Sequence, residues 1–153
     1  MIKKLSSILG FFLFLTSNSW SMIEIDITEG NREPLPIAIT EFFYDESVQE
    51  LLEEVSSNMR TVISADLERS GLFKSINMDA FIQENKSMHL KPRFEDWRLI
   101  KAQGLVTGDL SLEGEKLKVE FRLWDTLAEK EIEALVLITT QDNWRRVSHM
   151  IAD

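Results

Sequence analysis

Alternation of apolar and acidic residues marks the segment Ile23 to Ile27, where isoleucine occupies every second position. A period of two is typical of a β-strand with one buried face. Further on, Pro34 and Pro36 bracket the entry to a second apolar run, Ile37 to Phe43, which predicts a strand in the middle of a sheet.

A period of three to four residues follows and predicts a long helix over 47–70. The apolar stripe of this helix consists of Val48, Leu52, Val55, Met59, Val62 and Ile63. Ser47 and Glu50 fit a capping box at the helix start. Gly71 predicts the helix end, because glycine adopts the left-handed conformation without a steric penalty from Cβ.

The next segments are short. Phe73 to Asn77 predicts a short strand, residues 79–93 are irregular and polar, and Phe94 to Gln103 predicts a short helix that ends at Gly104. Three strands are then predicted at Leu105–Leu112, Leu117–Trp124 and 131–140. Their alternation indicates an antiparallel meander with one face in the core.

A last helix is predicted from Asn143, a favourable N-cap, with Trp144, Val147 and Ile151 on one face. The predicted fold class is therefore α/β. It consists of a mixed β-sheet with one long and one or two shorter helices packed against it, and a C-terminal antiparallel meander. Because the helical pattern still runs at Asp153, we expect the chain to be the front piece of a longer protein.

Residues 1–21 have the layout of a secretory signal. Lys3 and Lys4 precede the apolar run Leu5 to Leu15, and Ser19 and Ser21 suit cleavage after Ser21. Cleavage after Ser19 is the alternative. The apolar run is shorter than the roughly 20 residues that a membrane-spanning helix needs, so an uncleaved anchor or lipid-facing helix is the less favoured interpretation. We expect one exported domain over 22–153 without a stable membrane anchor.

The composition restricts the partners of this domain. The signal contains two of the 17 basic residues and none of the 26 acidic ones, which leaves a formal charge of −11 on 22–153. Such a surface repels nucleic acid and anionic lipid and favours basic partners. The chain has no cysteine, which excludes disulfides, thiol chemistry and a lipid anchor on cysteine.

The sequence offers little catalytic or metal-binding chemistry. His89 and His149 are the only histidines, and they lack the spacing of a metal site. The acidic pairs at 45–46 and 53–54 lack a calcium-loop pattern. The glycines at 104 and 108 lack a phosphate-loop ending and are better explained by a tight helix-to-strand junction. No cofactor is expected, and protein docking becomes the leading class of function.

Several ordered motifs carry a resemblance to a known family. They are Ile23–Gly30, Pro34–Ile39, Val62–Phe73, Phe94–Arg98, Gly104–Gly108, Phe121–Asp125 and Trp144–Asp153. In this order they resemble the amino-terminal domain of the TolB family, over nearly all of 22–153. The turn between Thr126 and Glu131 departs from the family pattern, because it lacks the glycine common there.

The resemblance implies a periplasmic, non-enzymatic α/β domain of the Tol–Pal envelope system, which maintains the outer membrane, assists cell division and serves protein transport and colicin import. In this family a six-bladed β-propeller follows the domain and docks the lipoprotein Pal. The mature N-terminus is engaged by the C-terminal domain of the inner-membrane protein TolA. Because the chain lacks a propeller sequence, docking of Pal is not expected of it.

These observations lead to one docking hypothesis and three alternatives. The predicted partner-binding residues are Ile23, Glu24, Ile25, Asp26 and Ile27, which would add as a strand to the open edge of a TolA-type partner. Alternatively, the segment is an ordinary edge strand of its own sheet. A small-ligand module would use at least two of Trp97, Trp124 and Trp144. A non-functional or split remnant of the family would expose apolar residues such as Ile151.

Overall fold

The computed structural model describes residues 33–83 and 91–153. The predicted signal at 1–21, the predicted docking segment Ile23–Ile27 and His89 lie outside the described residues.

Six strands of the described residues form one mixed sheet. They are β1 (Leu35–Ile39), β2 (Phe43–Tyr44), β3 (Phe73–Ser75), β4 (Gly104–Glu113), β5 (Lys116–Asp125) and β6 (Lys130–Thr140). The strand order is β3-β1-β4-β5-β6, and β2 pairs with β4 beyond the end of β1. Pairing is parallel from β3 to β4 and antiparallel from β4 to β6, so the α/β fold class and the C-terminal meander are confirmed.

Within 33–83 and 91–153, three α-helices accompany this sheet: α1 (Gln49–Arg69), α2 (Phe94–Leu99) and α3 (Trp144–Ala152). Short 3-10 turns occupy Glu46–Val48, Met78–Ala80 and Gln141–Asn143. Over 33–83 and 91–153, no helix combines the length and the apolarity that a bilayer crossing requires.

The strand predicted at Ile37 to Phe43 is confirmed in its central position, since β1 lies between β3 and β4. Its predicted length is wrong, because the chain leaves the sheet between β1 and β2. Phe42 is fully buried there, and its carbonyl accepts a hydrogen bond of 2.8 Å from the Ser56 hydroxyl of α1. Arg60 of the same helix donates to the carbonyl of Ile39 at 3.0 Å. Since α1 satisfies these carbonyls, the chain does not need a continuous ladder.

The predicted long helix is confirmed, but its predicted capping box is wrong. A 3-10 turn precedes α1, and Asp45 caps that turn by accepting a hydrogen bond of 2.8 Å from the backbone N–H of Ser47. Leu52, Met59 and Ile63 of the predicted stripe are buried. Gly71 has a φ of 73°, as the helix-end prediction requires.

The predicted helix over 94–103 is too long, since α2 ends at Leu99. Lys101 adopts a left-handed φ of 63°, which stops the helical ladder. The N–H of Gln103 then donates to the carbonyl of Pro36 at 2.9 Å, so the chain is already joining the sheet.

Asn143 occupies the N-cap position of α3, as predicted, but it does not cap the helix with its side chain. The Asn143 side chain makes no capping bond to α3 and instead donates to the Thr139 hydroxyl at 3.0 Å. The helix itself begins at Trp144, and its buried Val147 confirms the predicted apolar face.

Both faces of the sheet carry a core. The first core lies between the sheet and helices α1 and α3; it includes Ile37, Phe42, Met59, Ile63, Val119 and Val147. The second core lies on the opposite face under α2 and consists of Ala38, Phe94, Trp97, Ala102, Leu105 and Trp124. Successive residues of β1, β4 and β5 point to opposite faces of the sheet, so each of these strands contributes apolar residues to both cores.

Candidate docking surfaces

The described chain begins at the surface, directly after the predicted docking segment. Glu33 and Pro34 are exposed, and Leu35 is 37% exposed. The N–H of Leu35 donates to the carbonyl of Leu72 at 2.8 Å and marks the point where the chain joins the sheet. Residues that precede Glu33 thus connect to the domain at a solvent-accessible point.

The position of β1 restricts the alternative in which Ile23–Ile27 pairs within its own sheet. Among the described strands, β1 is flanked by β3 on one side and by β4 on the other. A preceding strand would have to join another strand instead, and the described outer strands are the two-residue β2, the three-residue β3 and the eleven-residue β6. Both interpretations of Ile23–Ile27 therefore stay predictions.

Strand β6 is the longest outer strand of the described sheet. Its exposed apolar side chains are Ile132, Leu135, Val136 and Ile138. The pairing with β5 shifts between Leu123 and Trp124, which leaves a bulge near the start of β6. Outer strands with apolar side chains are common places for protein contacts, because their backbone groups on one side lack a neighbouring strand.

Several cationic side chains near this edge form ion pairs with carboxylates. Lys118 contacts Glu120 at 2.6 Å, Arg122 contacts Glu131 at 3.5 Å, and Arg98 contacts Glu129 at 2.6 Å. The hydrogen bond and charge of Glu120 raise the pKa of Lys118 above its usual range. Each of these cations is therefore already paired with a carboxylate of this domain.

His149 contacts a carboxylate between two helices. Its Nδ1 donates to Asp66 of α1, and Arg69 also contacts Asp66, at 2.6 Å. The hydrogen bond from His149 is the main cause that lowers the pKa of Asp66. Among the described residues, no group of three or more His, Cys, Asp or Glu is placed to hold a metal ion.

The tryptophan prediction of the small-ligand alternative is wrong for two of its three residues. Trp97 is 1% exposed and Trp124 is 9% exposed, both in the second core. Their indole N–H groups donate to Gln83 at 3.2 Å and to Thr107 at 2.9 Å. Trp144 is half-buried against the first core. A sequence signal for the second core existed, since Trp124 falls on the face of β5 opposite to Leu123.

Ile151 does not fit the expectation of the remnant alternative. It is half-buried and packs against the first core instead of facing solvent.

Comparisons with known proteins agree with this architecture. Residues 23–132 match the model of the TolB amino-terminal domain. The Tol-Pal system protein TolB of Pelagibacter ubique (strain HTCC1062) is 47% identical over 148 residues, which cover 93% of this chain and 33% of the relative. The chain thus spans about a third of the length of this curated relative.

Solved structures share the fold at lower identity. TolB from Acinetobacter baumannii superposes with a TM-score of 0.62 at 21% identity, over 78% of this chain and 27% of that chain. Lipoprotein GNA1162 from Neisseria meningitidis superposes with a TM-score of 0.54 at 13% identity, over 70% of this chain and 81% of that chain. Because the family model matches residues 23–132, more than half of this chain, the chain belongs to the TolB amino-terminal domain family.

Proposed function

We propose that this chain is a non-enzymatic protein-docking domain of the Tol–Pal envelope system in the periplasm, and that it contacts TolA through Ile23–Ile27. The observation that carries the proposal is the family match, which begins at residue 23 and so includes this segment. The 47% identity to a Tol-Pal system protein supports the same system for this chain.

The proposed mechanism is the addition of a strand to the partner. Backbone hydrogen bonds between Ile23–Ile27 and an open sheet edge provide affinity, and the alternating isoleucines set the register. The carboxylates of Glu24 and Asp26 meet a basic rim and accelerate the encounter. The exposed Glu33 and Pro34 support this mechanism, because they connect the segment to the domain at the surface.

The proposal does not extend to Pal. The resemblance assigns docking of Pal to the propeller, and the family match of this chain covers the amino-terminal domain alone.

A binding assay with the C-terminal domain of TolA tests the proposal. Ile25→Asp should weaken binding by at least about tenfold, because a charge replaces a side chain that the partner buries. Leu127→Asp is the matched control, since Leu127 is 63% exposed in the β5–β6 turn and lies outside the proposed segment. Its affinity should equal that of the unaltered chain.

Deletion of residues 22–28 gives the decisive second measurement. Binding should disappear while the far-ultraviolet circular dichroism spectrum of the domain stays the same. Binding that survives the deletion would rule out strand addition through this segment.

A further inference from the structure

An apolar groove crosses one end of the sheet, where α1 and α3 leave the first core uncovered. Its volume is about 350 Å³, and residues from five strands line it, from Phe73 of β3 to Leu135 of β6. Leu67 of α1 and Met150 of α3 form its sides. We call this feature the end groove. It opens beside the outer edge of β6.

The lining of the end groove combines apolar side chains with acidic charge. Ten of its twelve residues are apolar, and the other two are Glu133 and Asp153. Neither a lysine nor an arginine belongs to this lining. Glu133 is exposed and stands on β6 opposite Leu123, on the face of the sheet that carries the first core.

The adjacent edge of β6 changes character along its length. Lys130, Glu131 and Glu133 place charges on its first half, where the bulge lies. Residues 134–140 contain no charged residue, glycine or proline. Charges, prolines and bulges are the usual protections of an outer strand, so the second half of β6 is open to pairing.

Backbone chemistry favours an extended segment over a helix. A helix satisfies its backbone groups internally and would leave the outer edge of β6 unpaired. An extended segment that pairs with β6 satisfies its own backbone N–H and C=O groups. Every second side chain of that segment would lie on the same face as Leu135, and the one beside Leu135 would reach the end groove.

Charge then distinguishes between possible occupants. The chain has a formal net charge of −9, and Ile23–Ile27 carries Glu24 and Asp26. A second copy or this leading segment would bring further acidic residues towards Glu133 and Asp153. A segment with a basic residue would instead form an ion pair at the rim of the groove.

We propose that the edge of β6 and the end groove form a second docking site, for an extended, basic partner segment with apolar residues at alternate positions. This site consists of other residues than Ile23–Ile27. One surface therefore donates a strand and the other accepts one, so the domain could contact two proteins at once.

Two synthetic peptides of about nine residues, a length that spans the open part of β6, test the proposal with the full chain. One alternates lysine with valine, and the other alternates glutamate with valine. The lysine peptide should bind at least about tenfold more tightly. It should also slow amide hydrogen exchange in residues 134–140. Equal affinities, or slowed exchange elsewhere in the domain, would contradict the proposal.

Matched variants separate the site from general attraction to an acidic protein. Glu133→Gln should weaken binding of the lysine peptide by up to about fivefold, which is the range expected for a solvent-exposed ion pair. Glu50→Gln removes the same charge from an exposed position at the other end of α1 and should leave the affinity unchanged. Leu135→Ser should weaken binding, with Leu51→Ser, at a 57% exposed position, as its control. Equal effects within either pair would overturn the site.

Two further outcomes assign the edge to another occupant and also overturn the proposal. One is a concentration-dependent dimer in which residues 134–140 are protected from exchange. The other is slow amide exchange of these residues in the absence of peptide, if Ile25→Asp abolishes that protection. This result would place the chain's own leading segment on β6.

Discussion

At the scale of single residues, Gly108 explains the break between β1 and β2. A Cβ at this position would lie 2.2 Å from the Phe42 ring and 2.6 Å from the carbonyl oxygen of Glu120. The sequence predicts a helix-to-strand junction for the glycines at 104 and 108. Gly104 does begin β4, but Gly108 lies inside the strand and makes room for Phe42.

We therefore expect Gly108→Ala to lower the free energy of unfolding by about 3 kcal/mol or more, because the added methyl group overpacks a buried contact. Gly114→Ala is the control: no heavy atom lies within 4 Å of its added Cβ, and its φ is 63°. Strain alone should lower its stability by about 1 kcal/mol. Urea unfolding measures both, and a smaller loss for Gly108→Ala than for Gly114→Ala would contradict the explanation.

Lys101 and Glu129 show a residue-scale feature that the sequence did not indicate. Both adopt a left-handed φ, 63° and 54°, where glycine is the usual residue. Glu129 lies in the turn where the family glycine is missing, and its carboxylate contacts Arg98 at 2.6 Å. That contact is a long-range one, so local sequence patterns could not predict this turn.

Lys101→Gly should raise the free energy of unfolding by about 1 kcal/mol, because glycine removes the steric penalty of Cβ at a left-handed position. Lys101 is exposed, so the loss of its side chain should have little other effect. Lys101→Ala keeps the Cβ and should leave stability unchanged in the same urea titration. Equal stabilities of the alanine and glycine variants would contradict the strain argument.

At the scale of elements, the carboxylate of Asp66 connects α1 to α3 through His149. The pKa of Asp66 is lowered, so the folded state keeps this carboxylate charged at lower pH than the unfolded chain does. The contact therefore contributes stability above the ordinary aspartate pKa of about 3.9. It is lost as the pH falls through the lowered folded-state value.

Asp66→Asn should thus reduce the free energy of unfolding at pH 7 by up to about 1 kcal/mol, since His149 is half exposed. The difference from the unaltered chain should shrink as the pH approaches about 3. Glu50→Gln, at the other end of α1, is the control. Denaturant titrations across this pH range measure the free energy of unfolding of both variants. The same pH dependence in both would contradict a stabilising contact between Asp66 and His149.

The elements that the sequence predicted well are those with local periodicity. The stripe of Leu52, Met59 and Ile63 and the stop at Gly71 depend on residues within one helix. The break after β1 was missed, because it depends on Ser56 and on Gly108 of a distant strand. Alternation in Ile23–Ile27 predicts a strand but does not identify the sheet that it joins. The sequence therefore predicts a candidate segment, but not the surface that it contacts.

At the scale of the whole molecule, the two cores share the same strands. Ile37 and Ile39 of β1 enter the first core, while Ala38 between them enters the second. Val106 and Leu105 of β4 divide in the same way. Alternation along the meander predicts one buried face. Trp124 on the opposite face of β5 hints at a second core, but its partner Trp97 of α2 joins it only in the folded chain.

A sheet that is shared in this way should couple the two cores, so that they unfold together. Met59→Ala opens a cavity in the first core, where Met59 is fully buried, and should lower the free energy of unfolding by about 2–5 kcal/mol. A Trp20→Phe, Trp144→Phe background leaves Trp97 and Trp124 as fluorescence reporters of the second core. In this background, Met59→Ala should shift the fluorescence transition and the far-ultraviolet circular dichroism transition by the same amount. A fluorescence midpoint that stays in place while the helical signal shifts would show that the two cores unfold independently.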